Sequence, residues 1–272
     1  MHIPFIEFGG TGSTLHIAHA NAYTAGSYRL LGQQLTTQHR VLAMRQRPTW
    51  PNSDPSQLER WSDLVPDLIS FLDQENLPEV IGVGHSMGGV VTMFAAIQHP
   101  ERFKAIVLID PVFLRPEYSA LLWNAAGEPT GAMPPIAQIA QRRQDSWPSR
   151  EAAFAHLRPK RVFAGISDEA LADFIEDGLA DAKEGVRLAY PKAWEARVYA
   201  RAPYEVWDCL PQVRVPMLII YAEHSDVLND ELIDRVKTLN PGTTAVKVAD
   251  SSHLVPMEKP VEVAQIILDW LG

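Results

Sequence analysis

Residues Gly84-His85-Ser86-Met87-Gly88 join an apolar run, Val80–Val83, to a second apolar stretch that opens near Gly89. A G-x-S-x-G segment with a strand before it and a helix after it puts the serine on a sharp, strained turn. Neighbouring chain then passes close to the positions two before and two after it, where a Cβ would clash. Gly84 and Gly88 occupy those positions. From Val80 to Pro100 no residue carries a formal charge, so hydropathy alone would flag a membrane span. The four glycines 82, 84, 88 and 89 around His85 and Ser86 fit a buried strand, a tight turn and a buried helix instead, so no membrane span is expected.

The rest of the chain supplies a sheet for this turn to stand on. Short apolar runs recur at Ile3–Phe8, Leu15–His19, Val41–Met44, Val80–Gly84, Ala105–Ile109, Val215–Tyr221 and Thr244–Val248. The central runs do not alternate with polar residues, which is how parallel strands covered on both faces read. Helical patterns fall between them at Tyr28–Gln38, Leu58–Gln74, Gly89–His99 and Asp230–Leu239, and Pro260 opens a last one with Val261, Ala264, Ile267 and Leu268 on one face. The fold class is therefore α/β, with a mostly parallel, doubly wound sheet of about seven to eight strands.

Between residues 111 and 213 no convincing strand is read. Helical segments follow one another, such as Ser149–Leu157 and Ser167–Ala180, each opened by a serine suited to N-capping. Four of the seven tryptophans, Trp123, Trp147, Trp194 and Trp207, lie in this stretch. The expected organisation is a core of residues 1–110 and 214–272, interrupted by a helical cap of residues 111–213 whose Trp, Leu and Met side chains line a pocket.

Composition narrows the function. With 24 Lys+Arg against 33 Asp+Glu, the net charge of −9 and the lack of basic clusters argue against a nucleic-acid surface. The single cysteine, Cys209, can form neither an internal disulfide nor a zinc–thiolate cluster. No basic, then apolar, leader is seen at the start of the chain, so a cytoplasmic location is the default expectation.

A serine hydroxyl becomes a nucleophile only beside a base that an acid orients, and with this turn the chain order is serine, then Asp or Glu, then His. His253 lies between the last strand and the last helix and is the expected base. Two acids end strands: Asp226, after Val215–Tyr221, is favoured, and Asp110, after Ala105–Ile109, is the alternative. Negative charge on a tetrahedral intermediate calls for two N–H donors. Met87, next to the serine, supplies one, and Asn21, in the His19-Ala20-Asn21-Ala22 loop after an early strand, supplies the other. The Asn21 side chain either faces the pocket or stabilises its own turn.

These segments resemble the α/β-hydrolase superfamily with a helical cap over essentially the whole chain: the histidine-led loop, Gly84-His85-Ser86-Met87-Gly88-Gly89, Ser225-Asp226-Val227, and Ser252–Pro260 before the last helix. The resemblance implies Ser86 as nucleophile, Asp226 as acid and His253 as base, with no metal or organic cofactor. Ala20, Ala222 and Ser252 depart from glycines common in the family. The His19-Ala20-Asn21 run is similar to that of haloalkane dehalogenases, but such chemistry, like epoxide hydrolysis, uses an Asp nucleophile where this chain has Ser86. The expected activity is hydrolysis of a small or medium, largely apolar carboxylic ester through an acyl-enzyme. Lactone hydrolysis, C–C bond hydrolysis and cofactor-free perhydrolysis use the same equipment, and a ligand receptor of the same fold stands as the non-enzymatic alternative.

Overall fold

All seven apolar runs form strands in the computed structural model, which describes residues 2–272. In chain order the elements are β1 (Phe5–Gly9), β2 (Thr14–Ala18), α1 (Arg29–Leu35), β3 (Arg40–Met44), α2 (Val65–Gln74), β4 (Val80–His85), α3 (Met87–Gln98) and β5 (Phe103–Ile109). After β5 come α4 (Pro116–Leu122), α5 (Pro135–Arg142), β6 (Ser146–Trp147), α6 (Arg150–Leu157), α7 (Asp168–Gly178), β7 (Leu179–Asp181), β8 (Val186–Leu188), α8 (Lys192–Ala200) and α9 (Val206–Cys209). The chain closes with β9 (Met217–His224), α10 (Asp230–Leu239), β10 (Thr244–Ser252), α11 (Val255–Glu258) and α12 (Pro260–Leu271).

The main sheet has seven strands in the order β1-β3-β2-β4-β5-β9-β10. Only β1 runs antiparallel, pairing Phe5 with Met44 and Ile6 with Ala43. Because strand side chains alternate between faces, β5 sends Ile106 and Leu108 into one apolar core and Val107 and Ile109 into the other. The first core is closed by α2, α3 and α10, and the second by α1, α12 and helices α6 and α7. The uncharged stretch is explained by this layering: β4 is buried throughout, and α3 is buried from Met87 to Ala96. No helix among the described residues is long and apolar enough to cross a membrane.

Two local expectations are corrected. The helix expected over Leu58–Gln74 begins only at Val65, preceded by a single 3-10 turn at Trp61–Leu64. Pro66 is the cause, because a proline ring fits the first turn of a helix but lacks the N–H needed further in. Residues 111–213 are also not strand-free: β6, β8 and β7 form a small antiparallel sheet in that order. These strands are two or three residues long, too short for an alternating pattern to register.

Residues 111–213 leave the main sheet at the end of β5 and return at β9, which pairs directly with β5. Helix α7 fastens this insertion to the turn that opens α1, to α1 itself and to the residue after β3. Asp177 accepts from the Gly26 N–H at 2.8 Å and pairs with Arg45, while Asp173 pairs with Arg29 at 2.6 Å.

Leu108 is fully buried in β5, an interior strand of the main sheet. Leu108→Ala is expected to lower unfolding stability by about 2–5 kcal/mol, the lost transfer energy plus a cavity. Urea unfolding of the purified chain measures it, and a loss below about 1 kcal/mol would contradict this packing.

Candidate active site

At the end of β4 the chain turns through Ser86 with φ +56° and ψ −119°. A Cβ on Gly84 would lie 2.4 Å from the Gly88 carbonyl oxygen, and one on Gly88 2.2 Å from that of Ala18. Both obstacles are backbone, so neither can yield easily. The Ser86 N–H donates to the Ile109 carbonyl at 2.9 Å, tying the turn to the neighbouring strand end. Only 5% of Ser86 is exposed.

His253 sits on the turn between β10 and α11 and meets the serine from the side: its Nε2 lies 3.0 Å from Ser86 Oγ. Its Nδ1 lies 2.7 Å from Oδ2 of Asp110, not of Asp226. The favoured assignment of Asp226 as the partner of His253 is therefore corrected to the alternative. Asp110 is fully buried at the end of β5, with φ +42° and its N–H donating to the Ile220 carbonyl at 2.7 Å. Its carboxylate also accepts from the Ala222 N–H at 3.1 Å and from Ser225 Oγ at 2.7 Å. Asp226 is exposed, one residue further along the loop. What the Ser225-Asp226-Val227 segment gives the site is Ser225, which braces Asp110 while accepting from the Val227 and Leu228 N–H groups.

Burial pushes the His253 imidazole toward a lower pKa, but the hydrogen bond and charge of Asp110, with the charges of Asp226 and Glu258, outweigh it and leave the value raised. Asp226 thus acts on the ring through space. Glu258, on α11, holds the histidine's own turn: it accepts from the Ser252 N–H at 2.6 Å and from Ser252 Oγ at 2.5 Å. Ser252, where the resemblance favours glycine, is accommodated by that pair of bonds.

The loop after β2 brings Asn21 beside the elbow. The Ala20 carbonyl accepts from the Tyr23 N–H at 3.3 Å and from His19 Nδ1 at 3.0 Å. Gln46 N–H donates to His19 Nε2 at 3.0 Å, so the His19 proton sits on Nδ1. Carbonyl and N–H of a trans peptide point in opposite directions. Pinning the Ala20 carbonyl therefore turns the Asn21 N–H the other way, and no protein acceptor takes it among the described residues. Met87 is the first residue of α3, and its N–H has no partner within the helix. The Asn21 side chain faces the insertion: its amide donates to the Glu195 carbonyl at 3.2 Å and its Oδ1 accepts from Tyr190 at 2.8 Å.

The four tryptophans are packing residues. Trp123, Trp194 and Trp207 donate their indole N–H groups to Ala202, Ser53 and Leu114, and Trp147 joins the second core. Polar side chains gather beside Asn21 instead. Glu195 is buried and paired with Arg143 at 2.7 Å, and Tyr190 and Tyr199 are held neutral by burial and by the Glu195 charge. Glu223, His224 and Asp250 bring ligand-type atoms within 4.8 Å of one another, but all three are exposed, and Glu223 is engaged by the Asp250 N–H. A cavity of about 520 Å³ lined by Ser13, His39, Lys104 and Trp270 lies at the amino ends of the strands, opposite Ser86. Tyr28, Ser225 and Glu258 join the site beyond the residues that sequence reasoning picks out: Ser225, directly ahead of Asp226, carries a local signal, and Tyr28 carries none.

Residues 15–266 match the family described as "Alpha/beta hydrolase family". The chain is 24% identical over 302 residues to "Bifunctional epoxide hydrolase 2" of Mus musculus, covering 100% of this chain and 53% of that protein. It thus spans about half the length of that relative. It is 23% identical over 261 residues to "Uncharacterized hydrolase YugF" of Bacillus subtilis (strain 168), covering 95% of this chain and 89% of the relative. Among solved structures, E-2-(acetamidomethylene)succinate hydrolase superposes with a TM-score of 0.81 at 21% identity, covering 98% of this chain and 94% of the other.

Asp110→Asn removes the acceptor of the His253 Nδ1 proton and is expected to lower kcat by about 10⁴. Asp226→Asn removes only one distant charge that raises the His253 pKa. That variant should keep kcat within about threefold, while the acid limb of its kcat/KM profile moves to lower pH, because a neutral base then persists further down. The wild-type limb is expected above the ordinary histidine value of 6.5. Paired pH–rate profiles check both, and an inactive Asp226→Asn with an active Asp110→Asn would reverse the assignment.

Proposed function

Because the chain belongs to the alpha/beta hydrolase family, we propose that it is a serine hydrolase cleaving carboxylic esters of small to medium size through an acyl-enzyme. The observation that carries this reading is the continuous line from Ser86 Oγ to His253 Nε2 at 3.0 Å and from His253 Nδ1 to Asp110 at 2.7 Å.

In this reading Ser86 Oγ attacks the ester carbonyl as its proton passes to His253 Nε2. Asp110 keeps the other ring proton on Nδ1 and steadies the imidazolium. The Met87 and Asn21 N–H groups receive the oxyanion. The alkoxide leaves with the proton from His253, and water, deprotonated by the same nitrogen, attacks the acyl-enzyme and releases the acid. A lactone follows the same course with its leaving hydroxyl still tethered. Epoxide opening, the activity in the mouse relative's name, uses a carboxylate nucleophile, and Ser86 is not one. Residues 111–213 act as the cap: α7 docks on the turn that opens α1, while Tyr190 and Glu195 hold the Asn21 side chain. The polar groups beside Asn21 favour a hydrogen-bonding substituent on the largely apolar substrate read from sequence.

The test is a panel of p-nitrophenyl esters and lactones, run on wild type and Ser86→Ala with fluorophosphonate labelling. The wild type is expected to turn over short and medium esters and to label. Ser86→Ala should do neither, with a loss of about 10⁶ in kcat. Labelling of the variant would sink the assignment; tight ester binding with kcat far below one per second across the panel would favour a receptor.

A further inference from the structure

His85, the last residue of β4 and the neighbour of Ser86, is fully buried, and both its ring nitrogens are engaged. Nε2 lies 2.8 Å from the backbone carbonyl of His253, and Nδ1 lies 2.7 Å from the hydroxyl of Tyr28. The same hydroxyl lies 2.9 Å from the Ala20 N–H. Each proton along this chain is fixed by its ends. A carbonyl can only accept, so His85 Nε2 carries the proton. Burial holds the ring's pKa well below its ordinary value, so the ring is neutral and Nδ1 is bare. Tyr28 must then donate to Nδ1, and its oxygen is left to accept the Ala20 N–H. That direction suits both ends.

We propose that Tyr28 and His85 form a relay of positioning residues that locks the Ala20–Asn21 segment of the oxyanion loop to the turn carrying His253. The proposal rests on the serine-hydrolase reading and extends it to residues that touch neither substrate nor reacting atoms. Two successive N–H groups of the loop, those of Ala20 and Asn21, are candidates for the second oxyanion donor. Tyr28 takes the Ala20 N–H, while His19 Nδ1 and the Tyr23 N–H take the Ala20 carbonyl. The Asn21 N–H is thereby left free and aimed. Through His85 the same hydroxyl is linked to the His253 backbone, so donor and base are set against one frame. The aromatic rings keep the alignment: Tyr28 meets His85 edge to face at 5.9 Å, and His85 lies 5.0 Å from the His253 ring.

The decisive variant is Tyr28→Phe, which keeps the ring and deletes the oxygen. On p-nitrophenyl acetate its kcat is expected to fall about 10- to 100-fold with KM within about twofold, less than complete loss of an oxyanion donor. Affinity for a trifluoromethyl ketone, whose adduct needs the same donors, should fall by the same factor, and the acid limb set by His253 should stay in place. His85→Gln, with an amide oxygen for Tyr28 and an amide N–H for the His253 carbonyl, should hold kcat within about threefold, and His85→Leu should match Tyr28→Phe. Nitrogen-15 NMR of the wild type reads the proton directly and needs no variant to fold: His85 should show the Nε2–H tautomer. A proton on Nδ1 overturns the relay, as does a Tyr28→Phe enzyme with unchanged kcat and inhibitor affinity beside a reactive wild type. A wild type that neither hydrolyses the ester nor labels at Ser86 overturns the hydrolase reading, and the relay with it.

Discussion

Ser86 holds φ at +56°, a conformation that costs an L-residue of order 1–3 kcal/mol and persists only where the surroundings over-determine it. The surroundings here are backbone on both sides. The Ser86 N–H is held by Ile109, and its carbonyl accepts from Gly89 and Val90 as α3 begins. Gly84 and Gly88 let the chain pass within distances that no Cβ would tolerate. Helix α3 then buries Val90, Val91, Met93 and Phe94 among other apolar residues. At roughly 1.5–3 kcal/mol for each large side chain, this burial outweighs the strain. The apolar core thus supplies the free energy that keeps the hydroxyl raised at the carboxyl ends of the strands.

The carboxylate partner of His253 follows from strand adjacency. Strands β5 and β9 pair side by side although 107 residues separate Ile109 from Met217, so the loops beyond both ends reach the same place. Chain order alone admits an acid from either loop, because both lie between Ser86 and His253. Asp110 wins by geometry: a positive φ turns it inward at the strand end, where donors from Ala222, Ser225 and His253 meet its two oxygens. Asp226 lies where β9 has already run into solvent. Local propensity at Ile109-Asp110-Pro111 reads equally well as the start of the insertion, so the sequence favours Asp226 where the structure sets Asp110 against His253.

The sheet, the elbow and the histidine could be read from the chain because each leaves a local mark. Buried parallel strands are apolar without alternation, the elbow needs glycines at fixed offsets, and His253 lies between a strand and a helix opened by Pro260. What could not be read depends on contacts across long separations. Tyr28 reaches His85 across 57 positions and Asn21 reaches Glu195 across 174, and neither leaves a periodicity or a motif. The abundance of tryptophan in the insertion reflects packing of the same long-range kind: all four are buried, and Trp123, Trp194 and Trp207 place their indole N–H groups on Ala202, Ser53 and Leu114.

Three histidines crowd the site, and their environments divide the labour among them. His19 carries its proton on Nδ1 because Gln46 N–H occupies Nε2, and burial lowers its pKa to about 4. His85 carries its proton on Nε2 because the His253 carbonyl demands it, and burial again keeps the ring neutral. Neither ring has a carboxylate in hydrogen-bond contact, and the backbone carbonyls of Ala20 and His253, with the more distant Asp177 charge at His19, offset only part of the loss of hydration. His253 loses hydration as well, but Asp110 touches it directly and Asp226 and Glu258 add their fields, so its affinity for a proton rises. Across neutral pH the first two rings remain fixed hydrogen-bonding struts and only the third changes charge. A site built this way can pass a proton through His253 without disturbing the bonds that aim the Asn21 N–H, because the residues that position and the residue that titrates differ in one physical respect, contact with a buried carboxylate.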